Sequence, residues 1–322
     1  MEHRAESRLE KLLAGRADGV AVALRGCADG CTEALTTQYG DSAPGRVRVF
    51  EPSRVEHPHS AFLRKTVDAH GRQAVQTTLY APGGKLAEER LLDGQAVEHF
   101  VKKQQDFETL RGFLRDVELY PAKSLPHTAG TAVLANLGLT PVRELETRWA
   151  GPELTGWALM SQDESAASCL RKLERHLHRR AEEACRAGSR ACVLKDMSAC
   201  PLPETYLLQA GRHIEWLRHN GLFPWVEVAE PNGPLLAALH AACAGARMDL
   251  INPALYEEQT MLPEGMRLLL DVSAGDDLSL LEADGIVELL KKCGSAVMLV
   301  DCFQAEREQL IRTLDCLQKF VK

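Results

Sequence analysis

The chain has 322 residues, with 38 Lys+Arg against 45 Asp+Glu, a formal net charge of −7, 45% hydrophobic residues and a mean hydropathy of −0.20. This balance excludes a disordered chain, and the absence of any apolar run near the roughly 18 residues of a membrane span excludes a transmembrane helix. An acidic total without a long basic run argues against a nucleic-acid surface, and the length suits one α/β barrel or two medium domains.

The first predicted element is a helix over Glu6–Leu13, closed by Gly15, followed by an apolar strand over Val20–Leu24. Residues 46–93 read as short alternating strands: Arg46–Phe50 alternates polar and apolar, and Gln73–Tyr80 and Lys85–Leu92 flank the turn Ala81-Pro82-Gly83-Gly84. The expectation is a small antiparallel insertion over about 46–93, with no barrel strand inside it. A helix follows over Gln105–Leu114, with Phe107, Leu110, Phe113 and Leu114 on one face. Residues 120–162 are punctuated by Pro and Gly and give no clear period.

The second half is regular. Helix Glu164–Ala187 ends at Gly188, and strand Ala191–Lys195 leads to helix Pro203–His219. Strand Leu222–Val228, helix Pro234–Cys243, strand Met248–Ile251 and strand Arg267–Asp271 come next. Helix Leu280–Lys292, strand Ala296–Val300 and helix Ala305–Val321 complete the pattern. Apolar strands alternating with helices are buried on both faces, which means a parallel sheet. Neither G-x-G-x-x-G nor a Walker A sequence occurs, so the expectation is one (β/α)₈ barrel domain over residues 1–322, with an open doubly wound sheet as the alternative.

In a barrel, chemistry sits where strands end. Arg25, Lys195, Asp196, Glu227, Glu230, Asn232, Asn252, Asp271 and the pair Asp301-Cys302 stand at such ends. That acidic and amide-rich set, with a lysine and an arginine, suits a metal or acid–base work on a small substrate with anionic arms. Each has a bland reading as well: Asp196 as a cap, Glu227 or Glu230 as a solvated carboxylate, Arg25 as a rim ion pair, Cys302 as a packed thiol. Metal spacing is sparse. His176 and His178 lie two apart on a helix and face different ways, His57 and His59 fall in the insertion, and Cys27 and Cys31 lack a third ligand. With no apolar leader in the first 16 residues, the ten cysteines read as reduced thiols of a cytoplasmic protein, mostly packed as small hydrophobes. No G-x-S-x-G elbow supports serine hydrolysis.

Several stretches resemble the uroporphyrinogen decarboxylase superfamily of (β/α)₈ barrels, which holds tetrapyrrole decarboxylases and corrinoid-dependent methyltransferases. The resemblance lies in Tyr80–Leu86, in Val97-Glu98-His99-Phe100-Val101-Lys102-Lys103-Gln104-Gln105-Asp106-Phe107 continuing to Tyr120-Pro121, and in Gly275–Leu280. It implies a functional Asp at position 196. The family's H-x-D-G stretch reads Glu227-Val228-Ala229-Glu230 here, and of the zinc ligands in the thiol methyltransferases only Cys302 stands near its place. The decarboxylases' M-R-Q-A-G-R reads Leu24-Arg25-Gly26-Cys27-Ala28-Asp29, so one arginine is kept and the other position is acidic. A reversed charge there opposes a polycarboxylate.

These readings lead to three expectations. The first is methyl transfer from a small donor or with a corrinoid (cobalamin) protein, in which Asp196, Glu227 and Glu230 act as the catalytic groups. Arg25, Lys195, Asn232, Asn252 and Asp271 would then bind the substrate, and Cys302 would serve any zinc. The second is decarboxylation of uroporphyrinogen or another polycarboxylate held by Arg25 and Lys195. The third is a non-catalytic barrel that binds a ligand or partner. The resemblance also implies a homodimer.

Overall fold

Eight parallel strands close into one barrel in the computed structural model. The structure describes residues 7–26, 35, 44–69, 71–122, 131–195, 203–256, 262–273, 283–303 and 306–319. In chain order the barrel strands are β1 (Gly19–Arg25), β2 (Gly45–Phe50), β9 (Thr131–Leu139), β10 (Ala191–Lys195), β11 (Phe223–Glu227), β12 (Gly245–Asp249), β13 (Arg267–Ser273) and β14 (Ser295–Asp301). Each pairs with its neighbours in that order, and β14 closes on β1 with Gly19 opposite Ser295 and Arg25 opposite Asp301. The open sheet is thereby ruled out. No described helix is long and apolar enough to cross a membrane.

Side-chain alternation decides what fills the barrel. Ala23, Val47, Leu134, Val193, Trp225, Leu269 and Leu299 pack together inside it. Their chain neighbours Leu24, Ala135, Leu194, Val226, Leu270 and Val300 face outward against the helical layer. The amino end is plugged by α1 (Arg8–Leu13), whose Leu12 and Leu13 join the inner cluster. A capping box starts this helix: Glu10 N–H donates to Ser7 Oγ at 3.2 Å, and Ser7 N–H donates to Glu10 Oε2 at 2.7 Å. Trp225 donates from Nε1 to the Leu13 carbonyl at 2.8 Å, tying plug to barrel. Gly245 makes room for that indole, since a Cβ there would lie 2.3 Å from Trp225 Cε3.

The expectation that residues 46–93 hold no barrel strand is corrected. Gly45–Phe50 is barrel strand β2, parallel to β1 and β9. Its alternation arises because Val47 points into the interior while Arg48 stands exposed on the other face. With arginines on its outward face ahead of the buried Phe50, this parallel strand reads like an antiparallel one.

The insertion itself runs from Ser53 to Pro121, beyond the expected limit. It contains a four-stranded antiparallel sheet of β4 (Ala61–Ala69), β5 (Arg72–Ala81), β6 (Gly84–Leu91) and β7 (Ala96–Glu98). It also contains α2 (Asp106–Asp116) and the antiparallel pair β3 (Ser53–Glu56) and β8 (Glu118–Pro121). The segment that carries the family resemblance is a packing device. Val101 N–H donates to the Trp149 carbonyl at 2.8 Å, and Asp106 accepts from the Lys102 and Lys103 N–H groups at 2.9 and 3.2 Å. Phe100, Val101 and Phe107 all enter the insertion's own core.

Residues 120–162 hold barrel strand β9 and a helical run: α3 (Pro141–Glu144), a π-helical turn over Leu145–Ala150, and α4 (Gly151–Met160). The long α5 (Glu164–Arg186) begins at Asp163, whose Oδ1 accepts from Ala166 N–H at 2.8 Å. It serves two cores. Ala166, Cys169 and Leu173 pack into the insertion, while Leu177, Ala181 and Ala184 pack on the barrel. The outer layer continues with α6 (Pro203–His219), α7 (Gly233–Ala241), α8 (Ala283–Lys292) and α9 (Arg307–Gln318). The described cysteines 169, 185, 192, 243, 293, 302 and 316 are free thiols; Cys169 and Cys192 are buried and Cys243 is exposed. Burial pushes the Cys169 and Cys293 thiols up to about 12, which keeps them protonated and unreactive.

Candidate functional site

Two residues beyond the last apolar layer, the inward positions turn polar. From Ala23, Leu134, Val193, Trp225, Leu269 and Leu299 the same parity leads to Arg25, Asn136, Lys195, Glu227, Asp271 and Asp301. Gly245 leads likewise to Arg247. All lie at the carboxyl ends of the strands, the face where barrels of this type carry their chemistry.

These side chains join into a continuous chain of ion pairs. Arg25 Nη2 donates to Asp301 Oδ2 at 2.7 Å, and its Nη1 lies 3.6 Å from Asp271 Oδ1. Arg247 grips Asp271 with both ends of its fork, Nε to Oδ2 at 2.6 Å and Nη2 to Oδ1 at 3.2 Å. Its Nη1 reaches Glu227 Oε2 at 3.3 Å. The order around the mouth is Asp301, Arg25, Asp271, Arg247, Glu227: three carboxylates against two guanidiniums. Asp271 and Arg247 are the deepest, with side chains 16% and 11% exposed, while Glu227 is 38% exposed. Across the mouth, Asn136 Nδ2 donates to Glu51 Oε1. Burial works against the charge on Asp301, but the Phe303 N–H and the Arg25 guanidinium outweigh it and hold the carboxyl below its usual range.

The sequence-derived residues divide as follows. Arg25, Glu227 and Asp271 meet in the ion-pair chain, and Lys195 ends β10 on the same inward parity, exposed. Glu230 stands exposed on the loop after β11. Asn232 caps α7, its Oδ1 accepting from Leu235 N–H at 2.9 Å, and Asn252 Nδ2 donates to the Ala229 carbonyl at 3.0 Å. Both asparagines shape the loops around the mouth. Asp196, Cys27, Cys31 and the Gly275–Leu280 segment lie outside the described residues. Cys302 packs against the outer helical layer, its Sγ 3.6 Å from the Val300 carbonyl, one residue off the inward parity; its neighbour Asp301 faces the mouth.

A zinc site of the thiol-methyltransferase kind does not fit this arrangement. Glu227 is engaged by Arg247, Ala229 offers no donor, and the Cys302 thiol points to the wrong face. Sequence reasoning missed Arg247, Asn136 and Glu51. Arg247 was detectable, because a lone arginine inside Gly245-Ala246-Arg247-Met248-Asp249 on a buried strand needs carboxylate partners.

No protein-family model matches the chain, and no curated protein matches its sequence. Among solved structures it is similar to a methyltransferase from Methanosarcina mazei, at 9% identity and a TM-score of 0.48, over 98% of both chains. It is also similar to a provisionally named phosphonomutase from Burkholderia cenocepacia J2315, at 14% identity and a TM-score of 0.34, over 97% of both chains. A xylose isomerase domain containing protein from Salmonella typhimurium LT2 aligns at 11% identity and a TM-score of 0.34, over 66% of this chain and 93% of that one. At these scores the likenesses carry no weight for function, and the barrel assignment rests on the strand order itself.

Proposed function

We propose that the chain is a barrel enzyme whose carboxyl-end mouth carries methyl transfer, with a corrinoid protein or a small methyl donor as its partner. The observation that carries this reading is the Asp301–Arg25–Asp271–Arg247–Glu227 chain at the strand ends. The motif resemblance at residues 80–107 supports the choice of superfamily. The donor supplies the transferable methyl group when bound. The chain's own work is to orient an acceptor and remove its proton. Arg247 fixes Glu227 through Oε2, and the partly exposed Glu227 carboxylate is the group at which that proton is taken up. Asp271, clasped between Arg25 and Arg247, keeps both guanidiniums in place.

Decarboxylation of a polycarboxylate ranks below this reading for a specific reason. Arg25 and Arg247 are already neutralised by Asp301, Asp271 and Glu227, so neither brings uncompensated positive charge to a polyanion.

The test follows the corrinoid absorbance of methylcobalamin mixed with the protein and a panel of thiol, amine and alcohol acceptors. The expected result is acceptor-dependent demethylation, reduced about 10²-fold or more in Glu227→Gln, in line with loss of a positioned proton acceptor. Uroporphyrinogen should stay unchanged in the same preparation. Absence of corrinoid binding together with absence of turnover for every acceptor would overturn the proposal and leave the ligand-binding barrel in its place.

A further inference from the structure

Outside the barrel, a second cluster of polar groups lies between α5 and α6 and takes no part in the mouth. Glu174 and His178 stand one turn apart on α5 and so share a face. His213 meets them from α6, with its Nδ1 3.9 Å from Glu174 Oε1. One ligand atom from each of the three residues lies within 4.8 Å of the others. His178 Nε2 is buried and has no hydrogen-bond partner, which is costly for a ring nitrogen unless something else satisfies it. The His178 ring is held flat against Trp216, with centroids 3.8 Å apart at 13°, so its direction is fixed.

We propose that Glu174, His178 and His213 bind one divalent transition-metal ion of the zinc type, clamping α5 to α6 on either side of β10. Two imidazoles and a carboxylate are the donor set that such borderline ions prefer. A tetrahedral ion with bonds of about 2.1 Å holds its ligand atoms roughly 3.4 Å apart. The ligand atoms therefore close by up to roughly 1.4 Å on loading, with the 44%-exposed Glu174 side chain free to take up its share of that movement. The fourth position falls to water or to Glu182, one further turn along the same face of α5. Lys172, Arg175 and Arg179 line the adjoining cleft of about 540 Å³, but they stand on the next stripe of the helix. The charges that bear on His178 are Glu174 and Glu182, and Arg212 opposes them only at His213. The site is distinct from the mouth, because α5 and α6 pack on the outer surface of the barrel.

The test titrates Co²⁺ into chelator-stripped full-length protein and follows its visible spectrum together with tryptophan emission. The expected result is saturable binding of one ion without a thiolate charge-transfer band, and partial quenching through Trp216. His178→Ala and His213→Ala should each weaken binding by more than the about 10–100-fold that loss of an outer-shell partner costs. Glu174→Gln, at a partly exposed position that does not threaten folding, should weaken it about tenfold or more. Trp216→Phe should abolish the quenching and keep the binding. No saturable binding, a thiolate band, or unchanged affinity in Glu174→Gln and His178→Ala would overturn the assignment.

Discussion

The two ends of the barrel are built from the same strands and differ in one layer of side chains. At the amino end, Trp225, Leu12 and Leu13 are almost fully buried and a single indole hydrogen bond joins them. Two residues along each strand, at the carboxyl end, the inward side chains are charged and their mutual pairing replaces apolar contact. The lower layer gains from every area removed from water, whereas charges taken out of water offset most of what their pairing returns. Apolar burial therefore concentrates at the amino end and paired charge at the mouth.

The comparison is broken most severely by Trp225→Ala. It empties the inner layer and leaves the Leu13 carbonyl without its donor, so urea unfolding should show a loss of about 3–5 kcal/mol. Arg247→Ala should come next, at about 2–3 kcal/mol, because Asp271 keeps its charge in a poorly exposed place without its fork. If pairing rather than shape sets that cost, the double variant Arg247→Met, Asp271→Leu recovers most of it in the same measurement.

Titration separates the regions further. In the outer layer, burial lowers the His213 pKa from 6.5 to about 4 in the folded metal-free protein. The unfolded ring takes up a proton below 6.5 and the folded one does not. Stability is therefore undiminished above pH 6.5 and falls toward pH 4 by up to about 1.4 kcal/mol per pH unit. His213→Gln should flatten that slope in acid-titrated denaturation curves. Asp301 behaves differently. Its folded pKa is held below the ordinary value of 3.8, so its contribution is present above that value and is lost only as pH falls through the lower folded one. The smallest effect is expected for Arg25→Ala. Arg25 is 27% and Asp301 33% exposed, and the deeper Asp271 keeps its fork from Arg247, so the loss should stay within about 1 kcal/mol and shrink in high salt.

The second half of the chain was legible to within a few residues, because strands buried on both faces and amphipathic helices leave strong periodic signals. The α5 helix, expected over 164–187, runs Glu164–Arg186, and the final strand, expected over 296–300, runs Ser295–Asp301. Arg46–Phe50 misled because Arg46 and Arg48 stand on its outward face ahead of the buried Phe50, and Thr131–Leu139 was hidden between prolines and glycines. At the mouth, the strand ends pointed to Arg25, Glu227 and Asp271. Of the pair Asp301-Cys302, only Asp301 keeps the inward parity, and parity within a strand is what a list of strand ends leaves undecided.

By itself the sequence determined the alternation of strand and helix, and hence a parallel sheet with polar residues at its strand ends; closure of that sheet into a barrel was decided by the pairing of β14 with β1. Only the tertiary structure decided that Arg247 joins Asp271 to Glu227, and that His213 meets Glu174 and His178 across two helices. The reason is physical. Periodicity records whether a residue faces water or core, a property of its own helix or strand, whereas an ion pair or a ligand set depends on distances between elements that closure of the barrel alone fixes.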